Sequence, residues 1–189
     1  MSTEFRSLPP DLPVPVDDGA ADHLSGSSVP AVALPSTQGG GLDLAEAARD
    51  RLVVYVYPRT GTPEEPLPTD WDEIPGARGC TPQSCAFRDL RADLAAHGAA
   101  IIGISAQTPD EQREFAEREH IPYPLLSDHD LKLADAMGLP TFETDGLHLY
   151  KRLTFIAEAR EIVKVFYPVF PPDRNAGDVL AWLDARGPR

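Results

Sequence analysis

Cysteine is scarce in this chain: 189 residues hold only two, Cys80 and Cys85. A small secreted scaffold stapled by disulfides needs more, so that class is excluded. Basic residues are also few. Seventeen Lys and Arg face thirty Asp and Glu, giving a formal net charge of −13. Such a surface repels phosphate backbones and anionic lipid, and neither nucleic-acid nor membrane partners are expected. No apolar run approaches the ~18–20 residues that cross a bilayer. Residues 1–6 lack an apolar signal core, so a cytoplasmic location is expected. The five histidines show no paired metal-ligand spacing, and two thiolates alone do not complete a zinc site. No internal repeat is present. The one glycine triplet, Gly39-Gly40-Gly41, reads as a turn, since nothing around it supplies the strand-to-helix context of a phosphate loop.

What is present fits one domain with one sizeable core. Residues 1–28 are rich in Pro, Asp, Ser and Gly and are expected to form an extended N-terminal arm that packs loosely, if at all. The domain proper is then 29–189. Residues 29–36 alternate apolar positions as a first strand does. Residues 52–57 are a continuous apolar run suited to a strand buried on both faces. Residues 60–79 are too polar and proline-dense for a regular element and read as a long loop, a feature that is usually functional or disordered. Helices are expected over about 81–97, 108–120, 128–137 and 179–185. Strands are expected over 100–105 and 123–126, with a hairpin at 153–157 and 162–166. The order β, α, β, α, β, α, β, β, α implies a layered α/β domain, mostly parallel, with an antiparallel edge.

The cysteine pair is the chemical signal. Thr81 reads as the N-cap of its helix and Pro82 as its first residue, which puts Cys80 just before the cap. A helix N-terminus carries partial positive charge and N–H groups without intrahelical partners. Both favour thiolate, the nucleophilic form. Arg78, two residues upstream, is a candidate for added charge. Cys85 lies five positions further along the same helix. Ideal geometry separates such Cα atoms by roughly 8–9 Å, on faces about 140° apart, whereas a disulfide needs Cα atoms within ~7 Å. If the two sulfurs bond, the first turn must unwind. Two inert cysteines satisfy the spacing equally well. A dithiol oxidoreductase fits less well, because the spacing is wider than Cys-x-x-Cys.

The stretch Gly79-Cys80-Thr81-Pro82-Gln83-Ser84-Cys85-Ala86-Phe87-Arg88-Asp89 resembles peroxiredoxins of the bacterioferritin-comigratory (Q) type, in the AhpC/TSA superfamily. The resemblance runs from Tyr57-Pro58 to the C-terminal helix. It takes in Ile102-Gly103-Ile104-Ser105, Pro124-Leu125-Leu126-Ser127-Asp128 and Arg152-Leu153-Thr154-Phe155-Ile156. It implies a thioredoxin-like fold, a central mixed sheet with helices on both faces. It also implies a thiol peroxidase acting on hydrogen peroxide and organic hydroperoxides. Cys80 would be peroxidatic and Cys85 resolving. Pro58 would shield the thiolate, Thr62 would hydrogen-bond peroxide and sulfur, and Arg152 would hold the thiolate and polarise the peroxide. A thioredoxin-like dithiol would reduce the disulfide, no cofactor is implied, and the chain would be a monomer or weak homodimer. One departure stands out. The family's Pro-x-x-x-Thr-x-x-Cys pattern is interrupted here by an insert at 64–78 in the active-site loop, so chain distance no longer fixes Thr62, and Thr60 is a substitute candidate. The insert's position suggests a lid, and a redox sensor on the same fold is the rival function.

Overall fold

The computed structural model describes residues 7–187 except Glu64. Strands β1 (Ala33–Pro35) and β2 (Gly41–Asp43) form a small antiparallel pair, turned by Gly39 and Gly40 at positive φ. Helix α1 (Leu44–Ala47) leads into β3 (Arg51–Val56), α2 (Cys80–Asp89), α3 (Arg91–Ala96) and β4 (Ala99–Ser105). Next come α4 (Pro109–Arg118), β5 (Leu125–Ser127), α5 (Lys132–Met137) and a hairpin of β6 (Thr141–Thr144) and β7 (Leu147–Tyr150). A second hairpin, β8 (Leu153–Glu158) and β9 (Glu161–Phe166), precedes α6 (Asn175–Arg186). The central sheet has the order β5-β4-β3-β8-β9. β3, β4 and β5 run parallel, while β8 and β9 are antiparallel additions beyond β3.

Strand β3 shows why its sequence is a continuous apolar run. Side chains alternate between faces, and here both faces are covered. Leu52, Val54 and Val56 join one core cluster with Leu133 and Met137 of α5. Val53, Tyr55 and Tyr57 join the other with Phe87 of α2, Phe115 of α4 and Val179 and Leu183 of α6. The expected mixed sheet with helices on both faces is thus present, as a thioredoxin-like core requires. Gly103 of β4 leaves room for this packing: a Cβ there would lie 2.6 Å from the Tyr55 ring and from Leu125.

Several expectations need correction. The arm is not loosely packed throughout. Met1 to Arg6 lie outside the described residues, but Ala21 and Leu24 are buried in the first core cluster. Asp18 pairs with Lys151 at 2.6 Å and accepts from Tyr167, which holds its carboxyl well below the usual range, and His23 contacts the Met137 carbonyl. Two apolar side chains at helical-turn spacing suffice to seat a segment that composition marks as polar. The strand expected at 29–36 shrinks to β1, since only its end finds a partner strand in β2. The helix expected over 81–97 is two, broken at Leu90 (φ −93°, ψ 8°); the apolar repeat of Phe87, Leu90 and Leu94 runs through the break, so the sequence pattern reads as one helix. Thr81 is no cap: α2 begins at Cys80, capped by Gly79 in the left-handed region. The hairpin β6–β7 was not expected at all.

Gly79 is the one residue that can start α2 this way. Its φ is +103°, and a Cβ would lie 2.4 Å from Pro172 Cγ and 2.7 Å from Leu8 Cδ2. Gly79→Ala therefore meets both backbone strain and two clashes. It is expected to cost about 2 kcal/mol, lowering the thermal midpoint by ~4–8 °C. An unchanged midpoint in a calorimetric scan would show that the turn relaxes freely.

Candidate active site

Sheet register brings the key groups together. Parallel pairing of β3 leaves its C-terminal end at Val56, with Tyr57 and Pro58 just beyond. In the antiparallel pairing with β8, Val56 lies opposite Leu153. Arg152, one step before Leu153, is therefore delivered to the same end of the sheet, although 72 residues separate it from Cys80. α2 starts at that end as well. The Arg152 Nη2 donates to Cys80 Sγ at 3.1 Å, and both side chains are buried to 3 % exposure.

The guanidinium is held at every nitrogen. Nε donates to the Gly76 carbonyl (3.2 Å), Nη2 to the Ala77 and Arg78 carbonyls (2.9 and 3.2 Å), and Nη1 to Gln83 Oε1 (2.5 Å). Gln83 is oriented in turn. Its Nε2 donates to Asn175 Oδ1, which also accepts from Thr154 of β8. The amide oxygen thus faces Arg152. A planar five-donor fork suits such a cradle, where a lysine would not. Cys80 Sγ also lies 3.6 Å from the Ala77 carbonyl. The last three residues of the insert therefore position the arginine that contacts the sulfur. Sequence reasoning missed both them and Gln83. The backbone carbonyls left no signal, since any residue supplies one.

Other expected residues fall less simply. Pro58 is buried, one residue past Tyr57, and Tyr57 shares a core cluster with Cys80. Thr62 does not line the recess beside the sulfur. It is only half-buried, its carbonyl accepts from Glu65, and its neighbour Gly61 lines the recess instead. Thr60 is buried but its hydroxyl and backbone N–H are both committed to Gln107 Oε1, at 3.0 and 2.9 Å. The insert has separated the threonine from the cysteine it would otherwise closely precede. The hydroxyl-bearing residue lining the recess is Thr81. Arg59, Leu67, Trp71, Arg78 and Gly79 line it too, around only about 10 Å³, room for about one water.

Cys85 lies half-buried in the intact helix, and both cysteines are free thiols. Its Sγ is 3.7 Å from Glu119 Oε2. Arg88 pairs with exposed Asp89 at 2.9 Å, a contact of small energetic weight, and also donates to the Glu119 carbonyl at 2.7 Å. The phenols nearby are neutral. Burial pushes Tyr57 and Tyr55 well above the ordinary tyrosine value, helped by their neighbours, and burial raises Tyr123 likewise. Tyr55 donates to Ser84 Oγ of α2 at 3.1 Å, and Tyr123 to the Ser84 carbonyl at 2.8 Å. These bonds pin the stretch of helix between the two cysteines.

Comparison with known proteins agrees with this geometry. The Redoxin family profile matches residues 24–180. The chain is 32 % identical to the chloroplastic peroxiredoxin Q of Gentiana triflora over 187 residues, covering 95 % of this chain and 77 % of that one. It is 28 % identical to peroxiredoxin Bcp of Escherichia coli, covering 84 % and 94 %. The crystal structure of peroxidoxin BcpB from Mycobacterium tuberculosis superimposes with a TM-score of 0.70 at 31 % identity, covering 85 % of this chain and 96 % of that one. The chain therefore belongs to the Redoxin family, as a peroxiredoxin of the Q or bacterioferritin-comigratory type and so a thiol-dependent peroxidase.

Proposed function

We propose that Cys80 is the peroxidatic residue, Arg152 its electrostatic partner and Cys85 the resolving residue. The observation that carries this reading is the 3.1 Å contact between Arg152 Nη2 and Cys80 Sγ at the first residue of α2. The Cys80 thiolate attacks one peroxide oxygen, the O–O bond breaks, and a sulfenic acid forms. Negative charge grows on the departing oxygen. Fixed donors aimed at that charge lower the barrier, and the Arg152 fork and the N–H groups opening α2 are placed to serve. Pro58 walls the sulfur from water. Thr81, beside Cys80, takes the recess position that the insert denies Thr62. The Cys85 thiol then condenses with the sulfenic acid, releasing water.

That second step needs the first turn of α2 to unwind, for the helical separation of five residues is too long for a disulfide. Unwinding breaks the Gln83 contacts to Arg152 and Asn175 and the Tyr55 bond to Ser84. A thioredoxin-like dithiol then reduces the bond by exchange. Hydrogen peroxide and small organic hydroperoxides are the substrates, in the cytoplasm, for a monomer or weak homodimer. Among the described residues no helix is long and apolar enough to cross a membrane. The test is peroxide consumption coupled to thioredoxin, its reductase and NADPH. Many turnovers per chain are expected; stoichiometric oxidation without cycling would favour a sensor.

The insert acts as a lid in this reading. It is tied down by Trp71 against Phe142 (6.4 Å), by Thr69 N–H on Asp145, and by Arg59 between Glu65 and Glu111. Room for about one water does not admit a hydroperoxide with its substituent. Trp71→Ala is expected to raise the rate constant for a bulky hydroperoxide by about tenfold, the equivalent of ~1.4 kcal/mol, and that for hydrogen peroxide less. Stopped-flow oxidation with both substrates measures the ratio; equal changes would remove the lid.

A further inference from the structure

Glu119 is a buried carboxylate set between the two halves of the site. It caps the C-terminus of α4, with 2 % of its surface exposed. Helix C-termini carry partial negative charge, and burial of an anion is costly unless it is well partnered. Its Oε1 takes a bond from Arg118 at 3.0 Å, and Oε2 faces Cys85 Sγ at 3.7 Å. Arg118 Nη2 also donates to the carbonyl of Gly61 at 2.9 Å, a residue that lines the Cys80 recess. One end of α4 thus touches both halves of the site.

We propose that Glu119 is a positioning residue that holds Cys85 as a protonated, docked thiol for as long as the first turn of α2 is folded. This rests on the peroxidase reading above. The two sulfurs then face opposite charges: a guanidinium on Cys80, a carboxylate on Cys85. A carboxylate beside a thiol accepts its S–H and opposes its ionisation. Only Cys80 meets peroxide as an anion, and Cys85 is kept from premature oxidation. Other groups face Cys85 as well. Arg88, on the same helix, favours the anion. Tyr55 of β3 and Tyr123 are held neutral by burial. Arg118 neutralises part of the Glu119 charge from the far oxygen.

Once Cys80 is a sulfenic acid, unwinding draws Cys85 away from Glu119. Its sulfur attacks the Cys80 sulfur, the S–O bond breaks, and the Cys85 proton leaves with the hydroxide as water. One sulfur is reduced and one oxidised to the disulfide level, and no further oxidant is needed. Glu119 therefore sets the order of events rather than supplying the chemistry.

The experiment follows alkylation of Cys85 by iodoacetamide against pH, in Cys80→Ser protein with and without Glu119→Gln. Glutamine keeps the size and an acceptor for Arg118 but removes the charge. The expected result is a midpoint about one pH unit lower, hence about tenfold faster alkylation at neutral pH. In the otherwise native chain, Glu119→Gln is expected to speed disulfide formation after peroxide addition by severalfold, because the docked state is weakened. Unchanged midpoints overturn the proposal, as does slower disulfide formation, which would make Glu119 a base instead. Should Glu119→Gln fail to fold, the Cys80→Ser protein still decides. Its Cys85 midpoint is expected above that of an unfolded control peptide, and one at or below it overturns the proposal. Alkylation needs no peroxidase activity, so its failure is distinct from failure of the coupled turnover assay.

Discussion

Cys80→Ser is expected to abolish peroxide turnover, a loss of at least about a thousandfold or ~4 kcal/mol of barrier. Serine keeps the small size of the buried side chain but presents a hydroxyl that does not ionise near neutral pH. The Arg152 fork then has no anion to hold. Cys85 does not substitute, because it is five residues along the helix and contacts Glu119 instead of the arginine. Cys85→Ser has a different signature. It is expected to consume one peroxide per chain and stop, leaving one added oxygen on Cys80. Excess peroxide would then carry the unresolved sulfenic acid to sulfinic acid. Intact-mass measurement after a single equivalent of peroxide separates the two variants. Wild-type turnover in Cys80→Ser would remove the proposed nucleophile.

The parts of this molecule that were legible share a physical trait: they are coded by side-chain pattern. β3 and β4 announce themselves as continuous apolar runs because both sheet faces are covered. α4 does so through Thr108, Pro109 and Glu111, which the structure shows as a complete capping box. The cysteine pair is visible for the same reason. What stayed hidden is coded by backbone or by distance. The carbonyls of Gly76, Ala77 and Arg78 have no residue signature, yet they orient Arg152. Burial of Ala21 and Leu24 depends on a surface contributed by α5 and the sheet, far away in the chain. Thr62 matches the family pattern by its spacing from Pro58, and the insert removes the chain distance that would fix it relative to Cys80. The β6–β7 hairpin is a separate case. Asp145-Gly146, both at positive φ, sit between Thr141–Thr144 and Leu147–Tyr150. An Asp-Gly turn between alternating residues is a strong hairpin signal. That signal is carried by the sequence itself.

Arg152→Met is expected to slow Cys80 oxidation by about 10²–10³, the range found when one fixed donor to developing negative charge is removed. Methionine roughly fills the space but has neither charge nor N–H. Two effects then combine. The sulfur loses the donor at 3.1 Å, and the departing peroxide oxygen loses its nearest cation. Arg152→Lys separates them. It returns the positive charge but cannot reach Gly76, Ala77, Arg78, Gln83 and the sulfur together, since an ammonium has three donors and no planar fork. A rate between those of Arg152→Met and wild type is expected, with charge recovered and orientation lost. Structural damage is the competing explanation, because both variants leave carbonyls of the insert without their present donor. Iodoacetamide resolves it, for it reads the thiolate without needing an O–O bond to break. If Arg152 acts on both sulfur and peroxide, oxidation by peroxide must fall further than alkylation in Arg152→Met. Equal falls would confine the arginine to the thiolate, and no fall in either would leave it a scaffold residue that happens to touch the sulfur.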